Sequence, residues 1–307
     1  MQRAFSKKNM PPMFGLLLTA LLLFFIQNGE LPYFLHVQPD TASLFQRPKP
    51  QTTTRHKNTV SAFYTCHKEV AAVNKVLQYF RASYPDSPVY MFNDAGLPFL
   101  KYLANQYNAH YRYYDQHAVM ERHGNYWNTT DKAFRYIKDL IHTAVESKSD
   151  WVIILEDDTI VLQPIDTRAL RYDQNGASVD YQRYAETFSW WKFVQNYVRV
   201  HYPTSKLYYG YNGRGGCVLR GAFLRSLAQN MTKIYEQVDA FRDLVLNHQK
   251  INSMPSDQVV TFITQVNGGT MGRYEHFGDS WTTNSLISYW TNDLHVLHGD
   301  KSAYLDH

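Results

Sequence analysis

Three consecutive acidic residues, Glu156, Asp157 and Asp158, directly follow a short and wholly apolar segment, Trp151–Leu155. Such an uninterrupted apolar run is typical of a strand buried on both faces of a parallel sheet. Adjacent carboxylates at the end of that strand repel one another, and a bound cation would relieve the repulsion. Carboxylate oxygens suit Mg²⁺ or Mn²⁺, which usually keep open positions for substrate phosphates. The alternative is an acidic turn in which Asp157 or Asp158 caps the next segment.

Another carboxylate that could do chemistry is Asp257, which follows Ser256 at the start of an apolar segment. An acidic residue there could be a general base that takes the proton of a substrate hydroxyl. Helix capping by Ser256 or Asp257 explains the same pattern without chemistry. Glu275 and Asp279, in an aromatic segment farther on, are the reserve candidates for the base.

Two other segments could contact a phosphorylated ligand. A glycine-rich stretch that contains Arg214, Gly215 and Gly216 leads into apolar residues, and glycines let the backbone approach a ligand closely. An ordinary turn before a strand would look the same. Near the C-terminus, His298 precedes Lys301. A neutral imidazole can ligate Mn²⁺ and a lysine can hold phosphate as a point charge, although most histidines are structural.

The elements that must position these residues alternate between the apolar periods of strands and helices. The pattern predicts strands over 60–65, 88–92 and 109–114, and helices over 68–80, 97–107 and 131–145, the last with Thr130 as N-cap. This order predicts an α/β fold with a doubly wound sheet. In such sheets ligands bind beyond the carboxyl ends of the strands.

The N-terminal region predicts a membrane anchor. Arg3, Lys7 and Lys8 precede an uncharged apolar run, and no Lys or Arg follows it up to Gln46, so we expect the C-terminal bulk on the lumenal side. A cleaved signal peptide is the alternative. The predicted order is a cytoplasmic tail (1–12), a signal anchor (13–27), a proline-rich stem (28–58) and a folded domain (59–307). Two N-glycosylation sequons, at Asn128 and Asn230, fit a lumenal domain.

Composition excludes some classes of protein. The 31 Lys+Arg against 27 Asp+Glu leave a net charge of +4, too weak and dispersed for a nucleic-acid-binding surface. With only two cysteines, Cys66 and Cys217, the chain cannot form a disulfide scaffold or a four-thiolate zinc site. The two form one bridge or are two small buried hydrophobic residues.

The segment from Trp151 to Asp158 resembles the acidic-x-Asp metal motif of nucleotide-sugar-dependent glycosyltransferases of the GT-A fold, in its Glu-Asp-Asp form. The single anchor, the stem and the early order of strand, helix, strand and Asn93-Asp94 turn are also similar to that family. The resemblance covers residues 59–304. It implies a mixed sheet with helices on both faces. It also implies Mn²⁺ or Mg²⁺ as cofactor, with Asp158 and His298 as ligands.

The resemblance further implies roles around a nucleotide-sugar donor. Glu156 and Asp157 would lie near the ribose or support the metal ligands, with the remaining contacts from Thr65, Asp94 and Lys301. The sugar and its acceptor would be bound by Arg214, Gly215, Gly216 and Trp281, and Asp257 would be the base. The implied activity is transfer of a hexose or N-acetylhexosamine from a UDP-linked donor to a glycan, glycoprotein or glycolipid in the Golgi or ER. A metal-dependent phosphohydrolase or nucleotidyltransferase and an inactive glycan-binding homologue are the alternatives.

Overall fold

The computed structural model describes residues 59–116, 129–177, 191–208, 212, 216–248, 256–279 and 294–298. Contacts divide the chain between Arg55 and His56, and every described residue belongs to the second unit. The predicted tail, anchor and stem lie outside the described residues, as do Asn128, Arg214, Gly215, Trp281 and Lys301. No helix within the ranges just given is long and apolar enough to cross a membrane.

Four parallel strands form one half of a seven-stranded sheet, in the spatial order β3-β2-β1-β4. The strands are β1 (Val60–Cys66), β2 (Val89–Asp94), β3 (His110–Tyr114) and β4 (Trp151–Leu155). They alternate with three helices, α1 (Val70–Ser83), α2 (Leu100–Gln106) and α3 (Thr130–Ser147). The alternation confirms the predicted order of strands and helices, and every boundary lies within a few residues of its prediction.

The other half of the sheet is mixed. Strand β7 (Cys217–Arg220) pairs antiparallel with β4 and with β6 (Gln174–Gly176), and β6 pairs parallel with β8 (Met271–Arg273). A separate three-stranded sheet has the order β5-β10-β9, with strands β5 (Thr159–Val161), β9 (Phe277–Asp279) and β10 (Val296–His298). The remaining helices are α4 (Trp191–His201), α5 (Gly221–Leu227), α6 (Met231–His248) and α7 (Ser256–Val266), with a 3₁₀ turn at Ala228–Asn230.

Both faces of the large sheet are covered by helices, as predicted. Along β4, Val152 and Ile154 belong to the core that includes α3, α6 and α7, whereas Ile153 and Leu155 belong to the core that includes α1 and α2. Successive side chains of a strand point to opposite faces, so an apolar run is stable only where both faces are buried. The acidic turn after β4 is therefore held on a strand that is fixed from both sides.

The N-cap of α3 differs from the prediction by one residue. Thr129 is the cap, and its side chain accepts a hydrogen bond from the backbone N–H of Lys132 at 3.4 Å, while Thr130 is the first helical residue. Either threonine can serve as a cap, so the local sequence alone does not separate them. The predicted apolar stripe of this helix is buried, including Ala133, Ile137 and Leu140.

The two cysteines are not bonded to each other; both are buried thiols. Cys66 ends β1 and Cys217 begins β7, and these strands lie on opposite sides of β4. Strands two positions apart are separated by about 10 Å, which is beyond the reach of a disulfide. Of the two alternatives left open by the sequence, the cysteines are therefore small buried hydrophobic residues.

Candidate functional site

The acidic turn after β4 is tied to the end of β1. Tyr64 is wholly buried, and its hydroxyl donates a hydrogen bond to Oδ1 of Asp157 at 2.8 Å. The backbone N–H of Thr159 donates to the carbonyl oxygen of Glu156 at 3.0 Å, which closes the turn. Asp158 is only 7% exposed, whereas Glu156 and Asp157 are half-buried. The three carboxylates therefore have different surroundings although they are consecutive in sequence.

The end of β2 carries the predicted Asp94, which is 4% exposed. Arg135 on α3 donates from Nη2 to Oδ1 of Asp94 at 2.9 Å, and its guanidinium lies 4.0 Å from the ring centroid of Tyr114. Tyr114 is also the residue paired with Asp94 in the β2–β3 ladder. The guanidinium of Arg135 thus offsets the negative charge of Asp94. Thr65, also predicted, is half-buried on the neighbouring strand β1.

The turn after β2 is organised by Asn93, which is fully buried. Its side-chain oxygen accepts from the N–H of Gly96 at 2.7 Å, and its amide nitrogen donates to the carbonyl of Leu97 at 2.9 Å. A side chain at Gly96 would collide with the carbonyl oxygen of His67, which follows β1. The glycine therefore lets the ends of β1 and β2 approach each other.

A small recess brings together residues from four elements. It is lined by Glu156 after β4, Gly216 and Cys217 at the start of β7, Ser256 and Asp257 at the start of α7, and Tyr136, Ile154 and Val260. Oδ1 of Asp257 accepts from the N–H of Gln258 at 2.9 Å. The predicted base, one carboxylate of the acidic turn and one glycine of the predicted substrate segment therefore share one recess.

Gly216 is required at its position for two reasons. Its φ of +100° lies in the region that favours glycine, and a Cβ built on it would lie 2.6 Å from the carbonyl oxygen of Ile154. The backbone can run this close to the end of β4 only without a side chain. The close approach brings the start of β7 beside the acidic turn.

Two other titratable groups of the recess are the phenol of Tyr136 and the thiol of Cys217. Burial raises the pKa of Tyr136 well above its ordinary value, and the nearby Glu156, Cys217 and Asp257 raise it further. Burial likewise raises the pKa of the Cys217 thiol, with further contributions from Glu156 and Asp257. The phenol and the thiol therefore both keep their hydrogens at neutral pH.

The short strand β10 brings a second predicted ligand toward the acidic turn. His298 is in register with Thr159, the residue that follows Asp158, and on its other side with Asp279 of β9. The side chains of His298 and Asp279 lie outside the described part of the structure. The pairing nevertheless places the backbone of His298 beside the strand that begins just after Asp158.

A cluster of rings holds the start of β10 in place. The backbone N–H of Asp166 donates to Tyr274 Oη at 3.0 Å and lies 3.2 Å from Nδ1 of His295. Tyr274 Oη is 2.6 Å from the same Nδ1. Because the amide can only donate, Nδ1 of His295 is an acceptor, and the Tyr274 hydroxyl donates to it while accepting from the amide. His276 stacks on His295 with ring centroids 4.4 Å apart.

The donor chemistry of the site fits a hard divalent cation. Carboxylate oxygens and a neutral imidazole are suitable ligands for Mn²⁺, and Asp158 is a buried carboxylate that a cation would stabilise. Within the residues whose side chains are described, no three His, Cys, Asp or Glu side chains are grouped as a metal site would require. His298, the predicted partner of Asp158, is not among the residues whose side chains are described.

The structure separates the candidate bases. Asp257 lies in the recess with Glu156, whereas Glu275 is exposed and its carboxylate pairs with Nε of Arg273 at 3.0 Å. Glu275 is thus a solvated surface group and the weaker reserve. Asn230, a predicted glycosylation site and not a candidate base, is exposed and lies in the 3₁₀ turn before α6.

Sequence reasoning missed three residues of the site, Tyr64, Arg135 and Tyr136. Tyr136 falls on the apolar stripe of α3 and Tyr64 in an apolar strand, so their patterns indicate only core positions. Arg135 lies in a helix rich in charged residues. The available signal is that tyrosine hydroxyls inside a core need a polar partner, which makes each buried tyrosine near a strand end a candidate.

No protein-family profile matches the chain, and no curated protein matches it in sequence. Solved structures that partly resemble it include the galactosyltransferase LgtC in complex with donor and acceptor sugar analogues, with 12% identity, a TM-score of 0.47, and coverage of 78% of this chain and 86% of that one. An active-site mutant of LgtC has the same identity and coverage and a TM-score of 0.45. The apo bifunctional glycosyltransferase WbbM has 8% identity, a TM-score of 0.43, and coverage of 81% of this chain and 47% of that one. Similarity of this extent decides neither a reaction nor a substrate.

Proposed function

We propose that this protein is a metal-dependent glycosyltransferase that moves a sugar from a nucleotide-sugar donor to a hydroxyl of a glycan or glycoconjugate. The observation that carries the proposal is the recess that is lined both by Glu156, from the acidic turn after β4, and by Asp257, from the start of α7. Sugar transfer to a hydroxyl needs a group that stabilises the departing diphosphate and a base for the acceptor. The acidic turn and Asp257 are residues of suitable chemistry for these two tasks.

The donor side of the proposal uses the strand ends. Asp158 would hold Mn²⁺ or Mg²⁺ together with His298, and the cation would supply positive charge to the diphosphate as the sugar departs. Asp157, held by Tyr64, and Asp94, held by Arg135, are buried or half-buried carboxylates that can accept hydrogen bonds from ribose or base. Hydrogen-bond acceptors that are held in place in this way can bind the hydroxyl and N–H groups of a nucleoside. We propose that this nucleoside is uridine.

The acceptor side uses Asp257. In an inverting displacement, the acceptor oxygen attacks the anomeric carbon, the bond from that carbon to the diphosphate breaks, and the acceptor proton passes to the Asp257 carboxylate. Oδ1 of Asp257 already accepts from the N–H of Gln258, which fixes the orientation of the carboxylate at the start of α7. A base that is oriented before the reaction loses little entropy when the acceptor arrives.

The compartment belongs to the same proposal. The positive N-terminal residues and the apolar run at 13–27 support a single-pass anchor with the folded domain in the Golgi or ER lumen. A domain on a stem would reach glycans on glycoproteins or glycolipids that pass through that compartment. The transferred sugar would be a hexose or an N-acetylhexosamine.

The test is a donor screen with the full-length chain in detergent. UDP-, GDP- and CMP-sugars are incubated with mixed glycan acceptors in Mn²⁺ or in EDTA, and products are identified by mass spectrometry. We expect a glycosylated acceptor with one donor class, lost in EDTA and in Asp158→Asn and retained in the surface control Glu275→Gln. Release of sugar phosphate and nucleoside monophosphate would indicate a phosphohydrolase instead. Donor binding without any turnover would indicate an inactive glycan-binding homologue.

A further inference from the structure

Tyr136 is a core residue that also borders the recess with the two carboxylates. It lies on α3, is 3% exposed, and its ring packs edge-on against Phe63 with centroids 4.9 Å apart. It also lines the recess, together with Glu156 and Asp257. The ring is thus fixed by packing while the residue borders a site with two acidic side chains.

The hydroxyl of Tyr136 remains a hydrogen-bond donor throughout the physiological pH range. Burial and the surrounding negative charge raise the pKa of its phenol well above the ordinary value, so the phenol stays protonated. Buried tyrosine hydroxyls normally find a polar partner. The titratable groups that line the recess with it are Glu156 after β4, Cys217 on β7 and Asp257 on α7. Of these, only the carboxylates are strong acceptors, since a thiol is a weak one.

A recess with two carboxylates needs such a donor if one of them is to act as a base. Like charges disfavour each other's ionised form, and partial burial has the same effect. A hydrogen bond donated to a carboxylate favours its ionised form and is stronger than one between neutral groups. Each carboxylate oxygen has two lone pairs, so Asp257 can accept from the helix backbone and from a phenol and still face a substrate.

We propose that Tyr136 is a positioning residue whose hydroxyl donates to the Asp257 carboxylate and keeps it ionised and oriented toward the acceptor sugar. The inference rests on the proposed function, because it assigns a role within that site. It makes α3 part of the acceptor-activating machinery. Tyr136 itself does not contact the reacting atoms and acts through Asp257.

The experiment compares Tyr136→Phe with a matched buried tyrosine outside the recess. Tyr136→Phe removes only the hydroxyl and preserves the ring that packs on Phe63. The control is Tyr90→Phe, in a residue that is 7% exposed and stacks on His110 with centroids 4.6 Å apart. In Tyr136→Phe we expect kcat to fall about tenfold at pH values on the acidic limb of the profile, where the ionised fraction of the base limits the rate, with the KM for the donor unchanged. Tyr90→Phe should leave both constants at wild-type values.

The pH dependence separates this role from simple packing. Without its donor, Asp257 binds its proton more tightly, so the acidic limb of kcat/KM moves about one unit higher, which is a tenfold loss at any fixed pH on that limb. Activity of Tyr136→Phe should therefore recover as the pH is raised. Replacing Tyr136 by 3-fluorotyrosine, whose phenol is more acidic and a stronger donor, should move the limb in the opposite direction. This second variant keeps the test decisive where the first does not fold.

A measurement without substrate distinguishes failure of the inference from failure of the proposed function. The Asp257 carboxylate is titrated by ¹³C NMR in the full-length wild-type chain and in both variants. Titration curves that coincide in all three would overturn the role of Tyr136, even in a chain that transfers sugar normally. Curves that shift as expected in a chain without transfer activity would support the role of Tyr136 and reject the glycosyltransferase proposal.

Discussion

Tyr64 donates its hydroxyl hydrogen to Oδ1 of Asp157 across 2.8 Å from a position wholly inside the core. The bond joins the end of β1 to the acidic turn after β4 and fixes the middle carboxylate of three. Because hydrogen bonds to charged groups are the stronger ones, this contact contributes both to the stability of the turn and to the direction in which Asp157 points.

Removing this hydroxyl should weaken the fold measurably. For Tyr64→Phe we expect the free energy of unfolding, measured by urea denaturation at pH 7, to fall by about 1.5–3 kcal/mol, since a partly buried carboxylate loses a charge-assisted hydrogen bond. Tyr90→Phe, which removes a hydroxyl from the core on the opposite face of the sheet, is the control. A loss no larger in Tyr64→Phe than in Tyr90→Phe would show that water replaces the bond.

Gly216 and Gly268 offer a matched test of the close approach between β7 and β4. Both have positive φ, +100° and +75°, but a Cβ at Gly216 would lie 2.6 Å from the Ile154 carbonyl oxygen, whereas Gly268 has nothing within 4 Å. Gly268→Ala should lower the free energy of unfolding by about 1 kcal/mol through backbone strain alone. Gly216→Ala should lower it by about 3 kcal/mol or more, because a steric clash is added. Equal losses in urea denaturation would mean that the loop can move away without penalty.

Local patterns predicted the elements that bury a regular apolar face, and they could not predict pairings between distant segments. The stripe of α3 and the run of β4 are visible in sequence because Ala133, Ile137 and Leu140, and likewise Val152 and Ile154, must be buried at helical and strand periods. The pairing of His298 with Thr159 has no local signal, because it depends on which distant strand β10 meets.

Within the candidate site, residue types were predictable but their surroundings were not. Asp257 and Glu156 were identified as acidic residues at the ends of apolar segments, yet their common recess follows from how α7 packs against β4 and β7. The same limit applies to Tyr136. Its position on an apolar stripe predicts burial, and only the folded chain reveals that it borders two carboxylates.

The sequon at Asn230 tests the lumenal orientation. The Asn230 side-chain oxygen accepts from the N–H of Lys233 at 3.0 Å and so caps the start of α6, whereas a glycan would be attached to the amide nitrogen. Asn230 and Thr232 are both exposed. In a eukaryotic secretory host, and in an Asn128→Gln background, we expect an endoglycosidase-sensitive shift on a gel that disappears in Thr232→Ala.

This substitution leaves the cap intact, so the unfolding free energy of unglycosylated Thr232→Ala should remain within about 0.5 kcal/mol of the unglycosylated parent. Absence of any shift in the Asn128→Gln chain would argue that this sequon does not reach the glycosylation machinery. A chain without glycans at either sequon would contradict the proposed lumenal orientation.

Asp257→Asn separates a catalytic carboxylate from a structural one. Asparagine has nearly the same shape as aspartate and keeps an oxygen that can accept from the N–H of Gln258, which lies 2.9 Å from Oδ1 in the wild type. We therefore expect the free energy of unfolding to change by less than about 0.5 kcal/mol. Asparagine cannot take a proton, so kcat for sugar transfer should fall about 10²-fold or more while donor and metal affinity change little. Stopped assays for kcat and calorimetric titration with UDP and Mn²⁺ measure the two effects separately.

The controls are chosen from the same region of the chain. Ser256→Ala changes the neighbouring residue of the recess without removing a charge, and Glu275→Gln removes a carboxylate that is exposed and paired with Arg273; both should retain most of the activity.

Full activity in Asp257→Asn would assign Asp257 to the helix start alone and move the search for a base to Asp279, whose strand lies beside His298. If Asp279→Asn were fully active as well, the reaction would proceed without a carboxylate base on the acceptor. The product would then be expected to retain the anomeric configuration of the donor, which NMR of the isolated product determines directly.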